Sequence, residues 1–117
     1  MVRFRFQDLE IWKEAIDIGN SLFDIADMLE EKKLYRFSEQ LRASGMSMSN
    51  NIAEGSGSDS NAEFNNFLNI SKRSTFENAN ILIILNKRNL INVSTLDSLL
   101  ERLETLSRKI TTFKRTL

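Results

Sequence analysis

The chain has 117 residues and balanced charge, with 16 Lys and Arg against 16 Asp and Glu, and it contains no His, Cys or Pro. This length suits one domain with a single core. Without Cys and His, the composition excludes disulfides, thiolate or imidazole metal sites and the usual near-neutral general base. We therefore expect a protein that is not an enzyme and needs no cofactor. No apolar run is long enough for a membrane span, and no secretory signal is evident, so we expect a cytoplasmic protein.

The first predicted helix covers residues 8–29, with Asp8 as its N-cap. Its apolar residues form two adjacent heptad-spaced rows that together span about 200° of the helix surface. One bundle core needs a stripe of only about 100°. We expect another subunit to cover the excess, although the N-terminal segment folding back is an alternative cover for part of it. The candidate oligomer-interface residues are Ile11, Ile18, Leu22 and Ile25.

The second predicted helix covers residues 38–54 and stops at Gly55. Beside its narrow apolar row runs a polar row of the same period, formed by Gln40, Ser44, Ser47, Asn51 and Glu54. This row has two interpretations. It lines a groove for a ligand, a nucleic-acid backbone or a protein, or its side chains bond the adjacent turns or a neighbouring subunit. We favour the second.

A Gly/Ser loop precedes the third predicted helix, residues 61–86, which Ser60 and Glu63 open as a capping box. The loop lacks the Gly-Lys-Ser/Thr ending and the preceding strand of a phosphate-binding loop, so we interpret it as a connector. The inward row of the helix is apolar at both ends and polar in the middle, at Ser71, Ser74 and Asn78. Buried polar side chains need partners, which predicts a hydrogen-bonded layer at the middle of the bundle.

The fourth predicted helix, residues 94–115, carries Leu, Ile and Phe at strict spacings of three and four. Short turns join all four helices, and short turns favour antiparallel neighbours. The sequence therefore predicts an all-α protein, an up-down-up-down antiparallel four-helix bundle, with residues 1–117 as one domain.

Basic residues collect at both ends of such a bundle, although the chain as a whole is neutral. Residues 1–59 contain 7 basic and 11 acidic side chains, and residues 60–117 contain 9 and 5. The candidate nucleic-acid contacts are Lys32, Lys33, Arg36, Lys87 and Arg88 at one end, and Lys114 and Arg115, with Arg3 and Arg5, at the other. The alternative is that these side chains are simply solvated, or complement a helix dipole.

Two segments carry a resemblance to a known bacterial family. Gln40-Leu41-Arg42-Ala43 and Ser47-Met48-Ser49-Asn50-Asn51-Ile52-Ala53-Glu54-Gly55 resemble its QLRRA and SIPSNIAEG signatures. The resemblance continues through Glu63-Phe64, Phe67-Leu68, Ser74 and Glu77, and spans residues 6 to 91. The family is known as the four helix bundle protein, or 23S rRNA intervening-sequence protein, family.

This resemblance implies a bundle that assembles into a ring-like homopentamer and has no enzyme activity. A related branch, the accessory variability determinant of diversity-generating retroelements, resembles a basic pentamer that binds nucleic acid and a reverse transcriptase. For most members the function is unknown. The wide apolar face of the first helix independently favours oligomerisation.

Three functional hypotheses follow. The first is a homo-oligomeric scaffold, a pentamer, that contacts RNA, DNA or a nucleic-acid-processing protein. The second is a protein-protein adaptor with no nucleic-acid role. The third, which we disfavour, is an enzyme that uses Glu54 and Glu77. The candidate polar groove or interface residues are Gln40, Ser47, Asn51, Glu54 and Glu77.

Overall fold

The computed structural model describes residues 1–117 and contains four α-helices and no strand. They are α1 (Glu10–Glu31), α2 (Tyr35–Ser56), α3 (Asn61–Lys87) and α4 (Val93–Lys114), and a single 3-10 turn, Arg5–Asp8, precedes α1. The predicted all-α class is therefore confirmed. None of the helices combines the length and hydropathy that a transmembrane span requires.

Each helix packs against its neighbours in chain order, and α4 returns to α1 to close the bundle. The diagonal pairs, α1 with α3 and α2 with α4, make no close backbone contact. The α1–α4 contact is the least extensive of the four, so the bundle is most open along this edge. This arrangement confirms the up-down-up-down topology.

A single apolar core runs through the bundle. The predicted seam of α4 is buried from Leu96 to Ile110, and it meets Leu68, Leu82 and Leu85 of α3. The largest fully buried side chains are Ile18, Leu22, Leu29, Leu41, Met48, Ile52, Leu68, Leu82, Leu85, Leu103, Leu106 and Ile110. The regular spacing of these residues explains why the sequence forms these helices.

Two predicted helix starts are wrong, because the polar residue taken as the start has another partner. Asp8 lies in the 3-10 turn and accepts a hydrogen bond from Arg3 at 2.7 Å, and Leu9 is the N-cap of α1. Ser38 is buried three residues inside α2, where its Oγ donates to the Ala26 carbonyl of α1 at 2.9 Å. By contrast, Ser60 caps α3 as predicted and accepts from the Glu63 N–H at 3.1 Å.

The helices α1 and α3 end in the same way at the same end of the bundle. Lys33 and Asn89 have φ of 63° and 61°, in the left-handed region that follows many helix ends. The next residue in each case, Leu34 or Leu90, donates its N–H to a carbonyl five residues back at 2.9 Å. Both ends are therefore Schellman motifs, formed without glycine.

Gly55 does not stop α2, which continues to Ser56. A Cβ at this position would lie 2.7 Å from Phe67 Cβ and 2.8 Å from Phe64 Cδ1, closer than real carbon contacts. Its predicted role as a C-terminal residue is therefore wrong. Glycine is needed here because α2 and the aromatic residues of α3 approach too closely for a side chain.

The structure contradicts the predicted oligomer face of α1 at three of its four residues, Ile11, Ile18 and Leu22, which are buried within one chain. Ile11, Ile18 and Leu22 are only 4%, 2% and 0% exposed, because α2 and α4 already cover them. Ile25 is half-buried beside α4. The N-terminal segment covers more of this helix by folding back, with the Phe6 and Trp12 ring centroids 5.2 Å apart. The excess apolar surface of α1 is thus used within one chain.

Candidate functional site

The polar row of α2 faces polar side chains of α3. Ser44 Oγ donates to Asn78 Oδ1 at 2.5 Å, and Asn78 Nδ2 donates back to the Ser44 carbonyl at 3.0 Å. The Ser47 and Ser74 hydroxyl oxygens are 2.8 Å apart. Ser71, Ser74 and Asn78 are all buried, so the predicted hydrogen-bonded layer is present.

Two further bonds complete this layer. Asn51 Nδ2 donates to the Ser47 carbonyl at 2.8 Å, one turn away on the same helix. Ser71 Oγ donates to the Met48 carbonyl at 2.8 Å. Because Ser47 and Asn51 find their partners inside the molecule, the structural interpretation of the polar row accounts for both of them.

The other three candidates of this group are exposed and make no side-chain hydrogen bond: Gln40, Glu54 and Glu77. The paired side chains fix the α2–α3 register and place Glu77 opposite Ser44, ten residues along the axis from Glu54. That separation is about 15 Å at the rise of an α-helix. Carboxylates that act on one bond lie within about 10 Å of each other. The structure therefore does not bring Glu54 and Glu77 together.

Five basic candidates lie at the end of the bundle that contains the first and third turns. These residues are Lys32, Lys33, Arg36, Lys87 and Arg88, all of them exposed. None forms an ion pair with a carboxylate of the chain, although Glu30, which lies beside them, is 3.7 Å from Arg42. Their charges are therefore available to a polyanion that meets this end.

The opposite end has a different character. Arg3 is paired with Asp8, and the guanidinium of Arg5 lies 5.4 Å from the centre of the Phe64 ring. Lys114 and Arg115 line a groove between α3 and the end of α4 together with Lys72. Sequence reasoning missed Lys72. The antiparallel register of α3 and α4 was the signal that could have found it.

The outer face of α3 is a second feature that sequence reasoning missed. Ile70, Phe76, Ile83 and Ile84 are exposed there, and Phe76 is 65% exposed. Residues 78–86 contain no charged side chain. The outward positions of α1 and α4 are, by contrast, mostly charged. Exposed large apolar side chains are thus most numerous on α3 and absent from α1, with Tyr35 and Met46 on α2 and Val93 on α4 as further examples.

A polar contact joins α1 and α4 at the open edge of the bundle. Lys109 Nζ of α4 donates to a carboxylate oxygen of Glu14 on α1. This hydrogen bond, together with the charge of Glu14, raises the pKa of Lys109 above its usual 10.5. The Lys109–Glu14 contact closes part of the open α1–α4 edge.

A comparison with known protein families identifies the family of the chain. The model of the 23S rRNA-intervening sequence protein family matches residues 7–112. The chain belongs to this family. The resemblance carried by the α2 and α3 motifs is thus confirmed. No curated protein is significantly similar to the chain in sequence.

A solved member of the S23 ribosomal protein family shares the fold of this chain. It is a protein of unknown function from Bacteroides thetaiotaomicron VPI-5482, whose crystal structure extends to 1.70 Å resolution. The TM-score is 0.83 at 21% identity, over 89% of this chain and 97% of that one. At this identity the likeness establishes the fold alone.

Proposed function

We propose that this chain is a non-enzymatic, homo-oligomeric scaffold, a ring of five chains. In this proposal, its basic turns and termini contact nucleic acid or a protein that processes it. The description of the family names no enzymatic activity, which is consistent with a scaffold. The two glutamates considered for catalysis are about 15 Å apart along the helix axes.

The observation that carries the proposal is the outer face of α3. Phe76 and Ile83 lie one heptad apart on this helix, and Ile70 and Ile84 flank them. Interface centres are enriched in aromatic and apolar side chains, as this face is from Phe76 to Ile84, although the exposed charges of Arg73 and Glu77 lie beside Phe76. A second copy of the chain would remove these side chains from water.

The nucleic-acid part of the proposal is supported by charge. The cations at the first and third turns have no carboxylate partner, so a phosphate backbone would meet them without displacing an ion pair. Closure of five copies into a ring would repeat this cluster five times. Such contacts recognise phosphates and not base sequence.

Assembly is tested with Phe76→Glu, which places a charge at the centre of the α3 face. We expect light scattering to give the mass of five chains for the wild type and a smaller mass for the variant. The bundle should stay folded, because Phe76 contributes little to the core. Asn20→Glu, at an exposed position on α1, is the matched control and should leave the mass unchanged. A wild-type monomer would contradict the assembly.

Nucleic-acid contact is tested on the same particle with a mixed pool of RNA and DNA at low and moderate salt. Phosphate binding weakens steeply as salt is added, whereas apolar protein contact does not. Retention of nucleic acid that falls as salt is added supports the proposed contact between the scaffold and nucleic acid. An assembled particle that retains no nucleic acid at either salt concentration would instead favour the protein-protein adaptor.

A further inference from the structure

Five polar residues line an open groove of about 410 Å³ between α3 and the last turns of α4. They are Asn65, Lys72, Thr111, Lys114 and Arg115, and none of them is apolar. No carboxylate lines the groove, and none of its three cations forms an ion pair anywhere in the chain. The groove is thus a concentrated and unneutralised positive site in a molecule of zero net charge.

The helix dipole does not account for this cluster. Lys114 and Arg115 lie at the C-terminal end of α4, where cations are favourable for the helix itself. Lys72 lies well inside α3, eleven residues from its start, where the dipole contributes little. The fold therefore places a third cation beside two others, although like charges repel one another.

The side chains of the groove are partly restrained. Lys72 and Lys114 are half-buried, and Lys114 Nζ donates to Asn69 Oδ1 on α3. Thr111 Oγ1 donates to the Ser107 carbonyl at 3.2 Å. Because Lys114 and Thr111 are already held by these hydrogen bonds, ordering them on binding costs less conformational entropy than ordering freely moving surface side chains.

Asn65 provides a second sign of a polar site. Its Oδ1 is the single buried side-chain oxygen or nitrogen of the chain without a hydrogen-bond partner. Buried polar atoms without partners are rare, and each calls for an explanation. The NH₂ of the same amide is not buried and forms no hydrogen bond within the chain, so it is a free donor on the wall of the groove.

We propose that this groove binds one phosphate group of a nucleic-acid backbone. The ammonium groups of Lys72 and Lys114 and the guanidinium of Arg115 donate to its oxygens, with Asn65 as a neutral donor. This inference rests on the proposed nucleic-acid contact and names a site for it that includes Lys72. Contacts of this kind position the chain on a strand without reading its sequence.

The test uses the wild-type protein, Lys72→Gln and Lys114→Gln, with a fluorescent single-stranded oligonucleotide of mixed sequence, as RNA and as DNA. We expect each variant to weaken binding about threefold to tenfold at low salt. Each should also reduce the slope of log affinity against log salt by about 0.7, the value for one phosphate contact on a single strand.

The matched control is Arg73→Gln, which removes one positive charge from the next residue of α3, outside the groove. We expect less than a twofold change. If Arg73→Gln weakens binding as much as Lys72→Gln, the effect is general charge and the groove assignment is overturned. If both groove variants bind as tightly as the wild type, the assignment of the groove as a phosphate site is overturned, while the proposed function stands.

A titration with inorganic phosphate at constant ionic strength distinguishes free phosphate from a nucleic-acid backbone as the ligand. Binding is monitored through the backbone amide NMR signals of Asn65 and Thr111. We expect shifts at these residues, with weaker affinity than for the oligonucleotide. Tight phosphate binding that an oligonucleotide does not compete with would overturn the nucleic-acid assignment. A wild type that binds neither probe would overturn the groove together with the nucleic-acid part of the proposed function.

Discussion

Gly45 and Gly55 lie on the same helix, but the surroundings of their missing side chains differ. At Gly45, a Cβ would meet Leu22 Cβ and Cδ1 at 3.4 Å, an ordinary contact. At Gly55, it would overlap Phe67 and Phe64 of α3 at less than 3.0 Å. The motif that ends in Gly55 is thus explained by packing between α2 and α3 and not by the end of α2.

Alanine substitutions separate these two cases. Gly55→Ala should lower the free energy of unfolding by about 1–3 kcal/mol, the usual cost of overpacking. Gly45→Ala should change it by less than about 1 kcal/mol, because the helix preference for alanine offsets a tight but acceptable contact. Urea denaturation measures both. Equal effects at the two positions would show that the close approach at Gly55 does not govern the choice of residue.

At the scale of the elements, a polar layer within the apolar core joins α2 and α3 at the middle of the bundle. Ser44 and Asn78 exchange two hydrogen bonds at 2.5 and 3.0 Å, and Ser47 meets Ser74. The buried polar groups are satisfied only in one register. A slip of one residue between the helices would leave them without partners, at about 1–3 kcal/mol each. The layer therefore fixes how α2 and α3 align.

The coupling between Ser44 and Asn78 is measurable by a double-mutant cycle. Asn78→Ala should cost about 2–3 kcal/mol, because it leaves the Ser44 hydroxyl and carbonyl without this partner. Ser44→Ala should cost about 1–2 kcal/mol. The double variant should cost less than the sum, by at least about 0.5 kcal/mol. Ser98→Ala, at an exposed position on α4, is the control. Strict additivity in urea denaturation would contradict this account.

For the whole molecule, the central question is which apolar surface belongs to the core and which to an assembly. The α1 residues that looked like an interface are covered by α2, α4 and the N-terminal segment. Among the helices, α3 carries the most exposed large apolar side chains and α1 carries none. In the proposed assembly, α1 contributes to folding and α3 to association, so the two are separable by mutation.

Ile18→Glu tests this division against Phe76→Glu. Ile18 is 2% exposed, so a glutamate there would bury an unpaired carboxyl group and should cost more than about 3 kcal/mol. We expect thermal denaturation followed by circular dichroism to show a large loss of stability for Ile18→Glu and little change for Phe76→Glu. An Ile18→Glu chain that stays as stable as the wild type but dissociates would restore α1 as the interface.

The sequence by itself determined the number and order of the helices, because apolar residues recur at helical spacing and short segments interrupt that spacing. It also determined the polar middle of α3, since Ser71, Ser74 and Asn78 interrupt an inward-facing row. The family followed from the same motifs, and comparison confirmed it. These features are local, or depend on spacing along one helix.

Only the tertiary structure decided which side of α1 is covered, why Gly55 has no side chain, and that Lys72 joins Lys114 and Arg115 in one groove. Each of these depends on the rotation and register of one helix against another. Helical periodicity specifies that a face is apolar but not which surface covers it, because several partners can bury the same residues. The tertiary packing makes that choice.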